Sequence, residues 1–255
     1  MAIWETPEVL SGTGQTATPG KQPIKAEVAI CIIYAGPVTM EWAYTFRRLN
    51  IGYPHIYLFN SNMPYDCARE TITRSALAHG VKWLFFLDSD VCPVDLDAVP
   101  KLIELSKTKK LPVLSGLYWA KKRENHPIPC AWNKIGEDKE KNTIAYGEMP
   151  ITPYLDQNAL IPCDVAGAGC LLVDAEVFKK LDKSNPNLPF WQWGLTRKDK
   201  DGKPLQQLSE DFYFFERCRT ELNIQAHVST LVKAHHICYS RKNANNGEFE
   251  LLGLP

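Results

Sequence analysis

Apolar residues fall along this chain in short runs, and amphipathic stretches of helical period separate them. VAICIIY, Val28 to Tyr34, is continuous, apolar and partly β-branched, the pattern of a strand covered on both faces. Met40 to Leu49 predicts a helix and HIYLF, His55 to Phe59, a second strand. Tyr65 to His79 reads as a helix with Asn62 and Pro64 ahead of it, Gly80 behind it, and Ala68, Ile72 and Ala76 on one face. KWLFFL, Lys82 to Leu87, predicts a third strand, and Leu96 to Thr108 a helix with Asp95 as its N-cap. PVLSGLY, Pro112 to Tyr118, is a fourth strand. Strands alternating with helices of this length predict an α/β fold with a largely parallel sheet.

The second half is less regular. Residues 121–160 carry charge, prolines and weak strand signals. Asp164 to Leu181, DVAGAGCLLVDAEVFKKL, predicts strand, glycine turn, strand and short helix. Residues 182–208 read as a long polar loop with aromatic anchors, a candidate lid over Pro189 to Gln207. Ser209 to Leu222 predicts a helix capped by Ser209, with acids in its first turn and Phe212, Phe215 and Leu222 on one side. His227 to Val232 predicts a last strand leading to Ala234-His235-His236. SGTGQTATPGKQP, residues 11–23, offers almost nothing to bury, so residues 1–26 read as a flexible arm. Residues 27–255 then form one Rossmann-like domain, its mostly parallel central sheet flanked by helices, in halves of about 27–120 and 121–255.

Composition narrows the partners. The chain has 255 residues, 45% of them hydrophobic, enough for a large core. Lysine plus arginine and aspartate plus glutamate number 29 each, so no net field favours nucleic acid or an acidic membrane. The eight cysteines include no C-x-x-C pair and several lie in apolar runs, which predicts reduced thiols and not a zinc ribbon. MAIWETPEVL lacks the pattern of a signal peptide, and no apolar stretch is long enough to span a bilayer. The expectation is a cytoplasmic protein, free or peripheral to a membrane.

The chemistry begins at WLFFLDSDVCP, Trp83 to Pro93. Buried unpaired charge costs several kcal/mol, yet this apolar run ends in Asp88 and Asp90 with one serine, Ser89, between them. Residues two apart in a strand point the same way, so two carboxylates at its carboxyl end present oxygens to one point. With phosphate oxygens and waters they suit Mg²⁺ or Mn²⁺. The plainer alternative is a solvated turn.

The ordered series formed by the first strand, CARETITRSALAHG, LFFLDSD, VLSGLYW, VAGAGCLLVDAEVF, LSEDFYF and a closing histidine resembles the GT-A glycosyltransferases, family 2-like members among them. The resemblance runs from about Val28 to His236. It implies transfer of a sugar from a UDP- or GDP-sugar donor to a hydroxyl of a glycan, lipid or small molecule. Asp88 and Asp90 match the family's D-x-D, whose metal bridges the diphosphate, and His236, or its neighbour His235, matches a further ligand. An imidazole ligand inclines the choice towards Mn²⁺ over Mg²⁺. Ser209-Glu210-Asp211 matches the x-E-D motif, whose aspartate takes the acceptor's proton in inverting members; without that role both acids simply complement the helix dipole.

Donor contacts implied by the same resemblance are Tyr34, Ala35 and Gly36 at the end of the first strand, Asp88, Ser89 and Arg69. Arg69 either faces the donor or pairs with Asp66. Gly167 and Gly169 either admit the donor sugar or serve a tight turn. Trp191 and Trp193 either stack on an acceptor sugar or anchor the loop. Lys121, Lys122, Arg123, Arg241 and Lys242 either meet phosphates or are solvated. Three other functions compete. A glycoside hydrolase could use paired carboxylates, but needs neither a metal at the D-x-D nor a sheet end built for a nucleotide. A sugar-nucleotide nucleotidyltransferase would need a basic glycine-rich loop, which YAGPVTMEW is not. A non-catalytic nucleotide or carbohydrate binder would not need the x-E-D acids, which are present.

Overall fold

The apolar run of the first strand divides its side chains between two cores. Ala29, Cys31 and Ile33 enter one, and Val28, Ile30 and Ile32 the other. A computed structural model describes residues 9–11, 25–34, 37–61, 63–121, 127–138, 143–198, 204–239 and 249–252. In it β1 (Val28–Tyr34) lies between two parallel neighbours, β2 (His55–Ser61) and β3 (Trp83–Asp88). The sheet continues through β4 (Val113–Leu117), β5 (Cys170–Asp174) and β6 (Ala226–Tyr239) in the spatial order β2-β1-β3-β5-β4-β6. Only β5 among these six runs against the rest, wedged antiparallel between β3 and β4. Strands Val9–Ser11 and Leu160–Cys163 close the two edges, both antiparallel.

Helices cover both faces, as a sheet with two apolar faces requires. α1 (Met40–Arg48) and α3 (Ala98–Lys109) bury Trp42, Val99, Leu102 and Ile103 in one core. α2 (Tyr65–Ala78), α4 (Ala175–Ser184) and α5 (Glu210–Leu222) cover the other. The expected face of Ala68, Ile72 and Ala76 on α2 is buried. Phe178, Trp191 and Phe214 stack beside Phe86 of β3, each large side chain contributing about 1.5–3 kcal/mol by leaving water. This is a single Rossmann-like α/β domain with a mostly parallel central sheet flanked by helices.

Several expectations are corrected. β2 runs on through Asn60 and Ser61, because their backbones still pair with Ile33 and Tyr34. Asp95 does not cap α3. Its carboxylate accepts from Asp97 N and binds Lys101, bracing a turn ahead of a helix that begins at Ala98. Residues 121–160 hold more than weak strands: Ala131–Asp138 pairs with Thr143–Glu148 and Val165–Ala166 in a three-stranded antiparallel sheet. Within the expected loop at 182–208, α4 continues to Ser184 and Gly194–Lys198 pairs antiparallel with Pro204–Leu208, preceded by buried Phe190 and Trp191, while residues 199–203 lie outside the described ones. Within the expected arm, Val9–Ser11 pairs with Ile56 to Leu58, while residues 12–24 lie outside the described ones.

The last strand is the correction that matters for the site. β6 is 14 residues long, not the predicted six positions of His227 to Val232. Its register with β4 breaks between Ser229 and Lys233. Beyond that bulge Lys233 still pairs with Leu117 of β4, and from Ala234 the strand pairs with Val91–Pro93, the segment directly after Asp90, placing His236 opposite Val91. Bulges redirect a strand in this way. Cys31, Cys92, Cys163, Cys170 and Cys218 are buried thiols, as the apolar settings predict, and Cys67 is an exposed one. Among the described residues no helix is long and apolar enough to cross a membrane.

Candidate active site

The chain leaves β1 towards β2 on one side of the sheet and leaves β3 towards β4 on the other, so a crevice opens at the carboxyl ends of β1 and β3. Asp88 is the last residue of β3 and stands at that crevice. Its backbone is pinned on every side. Asp88 N donates to Gly169 O at 3.1 Å, Ser89 N to Ile33 O at 3.2 Å, and the Trp42 indole to Asp88 O at 2.9 Å. Ile237 N donates to Asp90 O at 2.6 Å. The turn that carries both acids is therefore fixed by β1, α1, β6 and Gly169, the residue before β5, together.

A cavity of about 270 Å³ opens here, lined by Asp88, Ser89, Asp90 and His236 on one flank and by Glu210 and Asp211 on another. Arg69 joins the flanks. The residue is 2% exposed, and its guanidinium donates through Nη2 to both oxygens of Asp88 at 2.9 Å, through Nε to Glu210 Oε1 at 3.3 Å, and through Nη1 to Ala168 O at 3.5 Å. It does not pair with Asp66, whose oxygens take Cys67 N and Trp193 N instead. Burial works against the Arg69 cation, but Asp88 and Glu210 more than offset it and hold its pKa above the ordinary value. Burial pushes the carboxyls of Asp88 and Glu210 up, with Arg69 pulling each back.

Asp211 is raised as well, by burial first, against the lowering effect of the Ser209 hydroxyl. That hydroxyl donates to Asp211 Oδ1, which also accepts from Phe212 N at 2.9 Å. Ser209 holds the N-cap position of α5, but its side chain serves the acid and not the helix backbone, correcting the capping role expected of it. A carboxylate with a raised pKa is a stronger base than a solvated one, the quality required of a group that removes a hydroxyl proton.

Asp90 and His236 form the other pole. Nε2 of His236 lies 3.2 Å from Asp90 Oδ2, and its Nδ1 lies 3.0 Å from Trp119 O. A carbonyl only accepts, so Nδ1 carries a proton and Nε2 turns towards the carboxylate. In a singly protonated ring that arrangement sets two lone pairs against each other. A proton or a shared cation relieves it. Neighbouring donors around one octahedral divalent ion stand about 3 Å apart, so this pair fits such an ion, with the Nδ1 bond to a carbonyl as the usual outer support. Among the described residues no three His, Cys, Asp or Glu side chains form a ready metal cage. Asp88 stands apart because both its oxygens face Arg69.

Other expected residues divide. Ser89, Gly167 and Trp193 line the cavity, and Trp193 is 54% exposed, its backbone tied to α2 through Asp66 Oδ2 at 2.9 Å. Trp191 is not an acceptor platform. It is buried, stacked on Phe214 at 4.3 Å, with its indole N donating to Thr73 Oγ1 at 3.0 Å. Tyr34 ends β1, but it is Ile33 that reaches the cavity. His235 pairs opposite Cys92 and does not line the cavity, since neighbours on a strand face opposite ways. Ala35, Gly36, Lys122, Arg123, Arg241 and Lys242 lie outside the described residues, as does the Lys121 side chain.

Tyr118 and Trp42 are the contributors that sequence reasoning missed. Tyr118 is buried, its hydroxyl accepts from Gly169 N at 2.9 Å, and its ring meets His236 edge-on at 5.8 Å. Its passage explains both glycines. A Cβ on Gly167 would come 2.1 Å from the Tyr118 hydroxyl, and one on Gly169 would meet Val91 at 2.8 Å and Asp88 Oδ2 at 3.1 Å. Aromatic residues closing apolar runs were the available signal, and they look like any other core residue.

No protein-family model and no curated protein matches the sequence. Among solved structures, the fold is similar to the crystal structure of A197 from STIV, with a TM-score of 0.50 and 15% identity over 90% of this chain and 95% of that chain. That likeness concerns the fold alone.

Proposed function

We propose that this protein is a divalent-metal-dependent GT-A glycosyltransferase, moving a sugar from a UDP- or GDP-sugar to a hydroxyl of a glycan, lipid or small molecule. One observation carries the reading. Asp211, a buried carboxylate of raised pKa, and the converging Asp90–His236 donor pair line the same cavity at the carboxyl ends of parallel strands. That combination supplies a base for an attacking hydroxyl and a place for a cation beside a leaving diphosphate.

In this reading Asp90 and His236 would hold Mn²⁺ or Mg²⁺, which when bound neutralises charge on the diphosphate. Asp211 receives the acceptor's proton as its oxygen bonds to the anomeric carbon. The bond from that carbon to the diphosphate oxygen breaks, and its electron pair leaves with the nucleotide. Ser209 and Phe212 N fix Oδ1 of Asp211, so Oδ2 is the oxygen offered to the hydroxyl. Arg69 holds Asp88 in place and stabilises the cluster of acids; Trp193 offers an exposed face for the acceptor. Attack from the Asp211 side, away from the diphosphate, gives inversion.

The test is a screen of UDP- and GDP-sugars for slow release of nucleoside diphosphate with and without Mn²⁺. Metal-dependent release from one donor class, strongly lowered by Asp211→Asn, supports the proposal. Nucleotide binding without turnover would favour the non-catalytic binder.

A further inference from the structure

Glu210 has an oxygen that nothing in its surroundings satisfies. Oε1 takes the Arg69 Nε–H at 3.3 Å, but Oε2 is buried and has no hydrogen-bond partner among the described residues. The side chain is 8% exposed and lines the cavity next to Asp211 and Gly167. Buried carboxylate oxygens without a partner are rare because the lost hydration is not replaced. A carboxylate only accepts, so the missing partner is a donor that enters the cavity. Asp211 cannot be that donor while it serves as base.

We infer that Oε2 of Glu210 accepts a hydrogen bond from one ring hydroxyl of the transferred sugar, making Glu210 a specificity-determining residue of the donor subsite and not a participant in proton transfer. The inference rests on the nucleotide-sugar reading above. Arg69 pins the other oxygen of the same carboxylate, so Oε2 has a fixed direction, which is what reading one hydroxyl among several demands. A site built to bond a hydroxyl rejects the analogue lacking it more strongly than an apolar pocket rejects an extra methylene. The chemical class that follows is a sugar with a free hydroxyl at that ring position.

Calorimetric titration of the full chain with UDP and UDP-glucose, and with GDP and GDP-mannose, all with Mn²⁺, gives the affinity that the sugar adds to the nucleotide. For the sugar that binds, its monodeoxyfluoro analogues replace one hydroxyl at a time by fluorine, which cannot donate. In the wild-type protein one position loses roughly 10- to 100-fold in affinity. In Glu210→Gln that penalty falls below about threefold, while the plain nucleotide binds within about twofold of wild type. If no ring position in the wild type is penalised, or the penalty survives in Glu210→Gln, the inference is overturned and the nucleotide-sugar reading stands. Equal loss of nucleotide and nucleotide-sugar affinity in the variant also overturns it, assigning Glu210 to the support of Arg69 and Asp88. If neither nucleotide binds the wild-type chain, both readings fall together.

Discussion

Replacing Arg69 by methionine removes the cation that stands between two acidic motifs while keeping most of the aliphatic stem; lost with the charge is the guanidinium, whose Cζ lies 5.9 Å from the Phe86 ring centre and 5.5 Å from that of Trp191. The ion pairs lost are those to Asp88 at 2.9 Å and Glu210 at 3.3 Å, together with the bond to Ala168 O at 3.5 Å. Removing one partner of a buried ion pair costs roughly 3–5 kcal/mol, because the other charge stays behind. Asp88 retains 20% exposure and draws some water, whereas Glu210 at 8% draws little, so the lower end, about 3 kcal/mol, is expected near neutral pH. At about 2–4 °C per kcal/mol for a chain of this size, the melting temperature falls by roughly 6–12 °C. Burial already raises both carboxyl pKa values, and loss of Arg69 raises them further. A pKa raised in the folded state gives stability that is present below the unfolded value, about 4, and lost as pH climbs through the folded value. The deficit of Arg69→Met is therefore smaller at pH 5 than at pH 8. Urea unfolding of both proteins at the two pH values measures it. A deficit below about 1 kcal/mol at pH 8, or one equal at both pH values, refutes the argument that Arg69 holds the acids together.

Three further outcomes follow from the same geometry. Asp211→Asn leaves donor binding within about threefold and lowers transfer by on the order of 10²–10⁴. The wild-type rate falls as pH drops through the raised pKa of this acid, so the acid limb lies above the ordinary aspartate range and is absent from what activity the variant keeps. Asp90→Ala removes the Mn²⁺ dependence of nucleotide binding in calorimetry while the melting temperature holds, since the side chain is 47% exposed; unchanged metal dependence would remove Asp90 as a ligand. Gly167→Ala drives a Cβ into the Tyr118 hydroxyl at 2.1 Å and costs roughly 1–3 kcal/mol in denaturant unfolding. Tyr118→Phe in the same chain recovers part of that loss, but only part, because the ring carbon Cζ at 2.6 Å and Cys130 Cβ at 2.8 Å remain.

What the sequence made legible was local. β1, β2, β3 and α2 follow from apolar runs and helical period because their burial is decided within each segment. Where an element is shaped by a distant partner, the pattern was silent. The strands at Ala131–Asp138 and Thr143–Glu148 are polar along much of their length, and their pairing with each other and with Val165–Ala166 fixes them. β6 illustrates the same limit. Its apolar start ends at Val232, and Lys233, His235 and His236 do not look like strand residues. They are strand because Val91–Pro93 lies beside them, a neighbour set by the turn that carries the acids.

The site repeats this division between local and distant causes. Asp88, Asp90, Glu210 and Asp211 stood out because acids at the end of a core strand or in the first turn of a helix call for an explanation. The explanation itself was out of reach of the sequence. Arg69 bonds an acid 19 residues away and another 141 residues away, whereas a helical pattern offers it only Asp66 and other near neighbours. Lysines and arginines equal acids in number, 29 to 29, so charge balance could not single it out. Burial does. An arginine can stay buried in α2 only if acids from other elements converge on it, and those acids can sit beside a cavity only if a cation holds them. Each charge at this site is tolerated because of the other, so Arg69, Asp88 and Glu210 function as one unit.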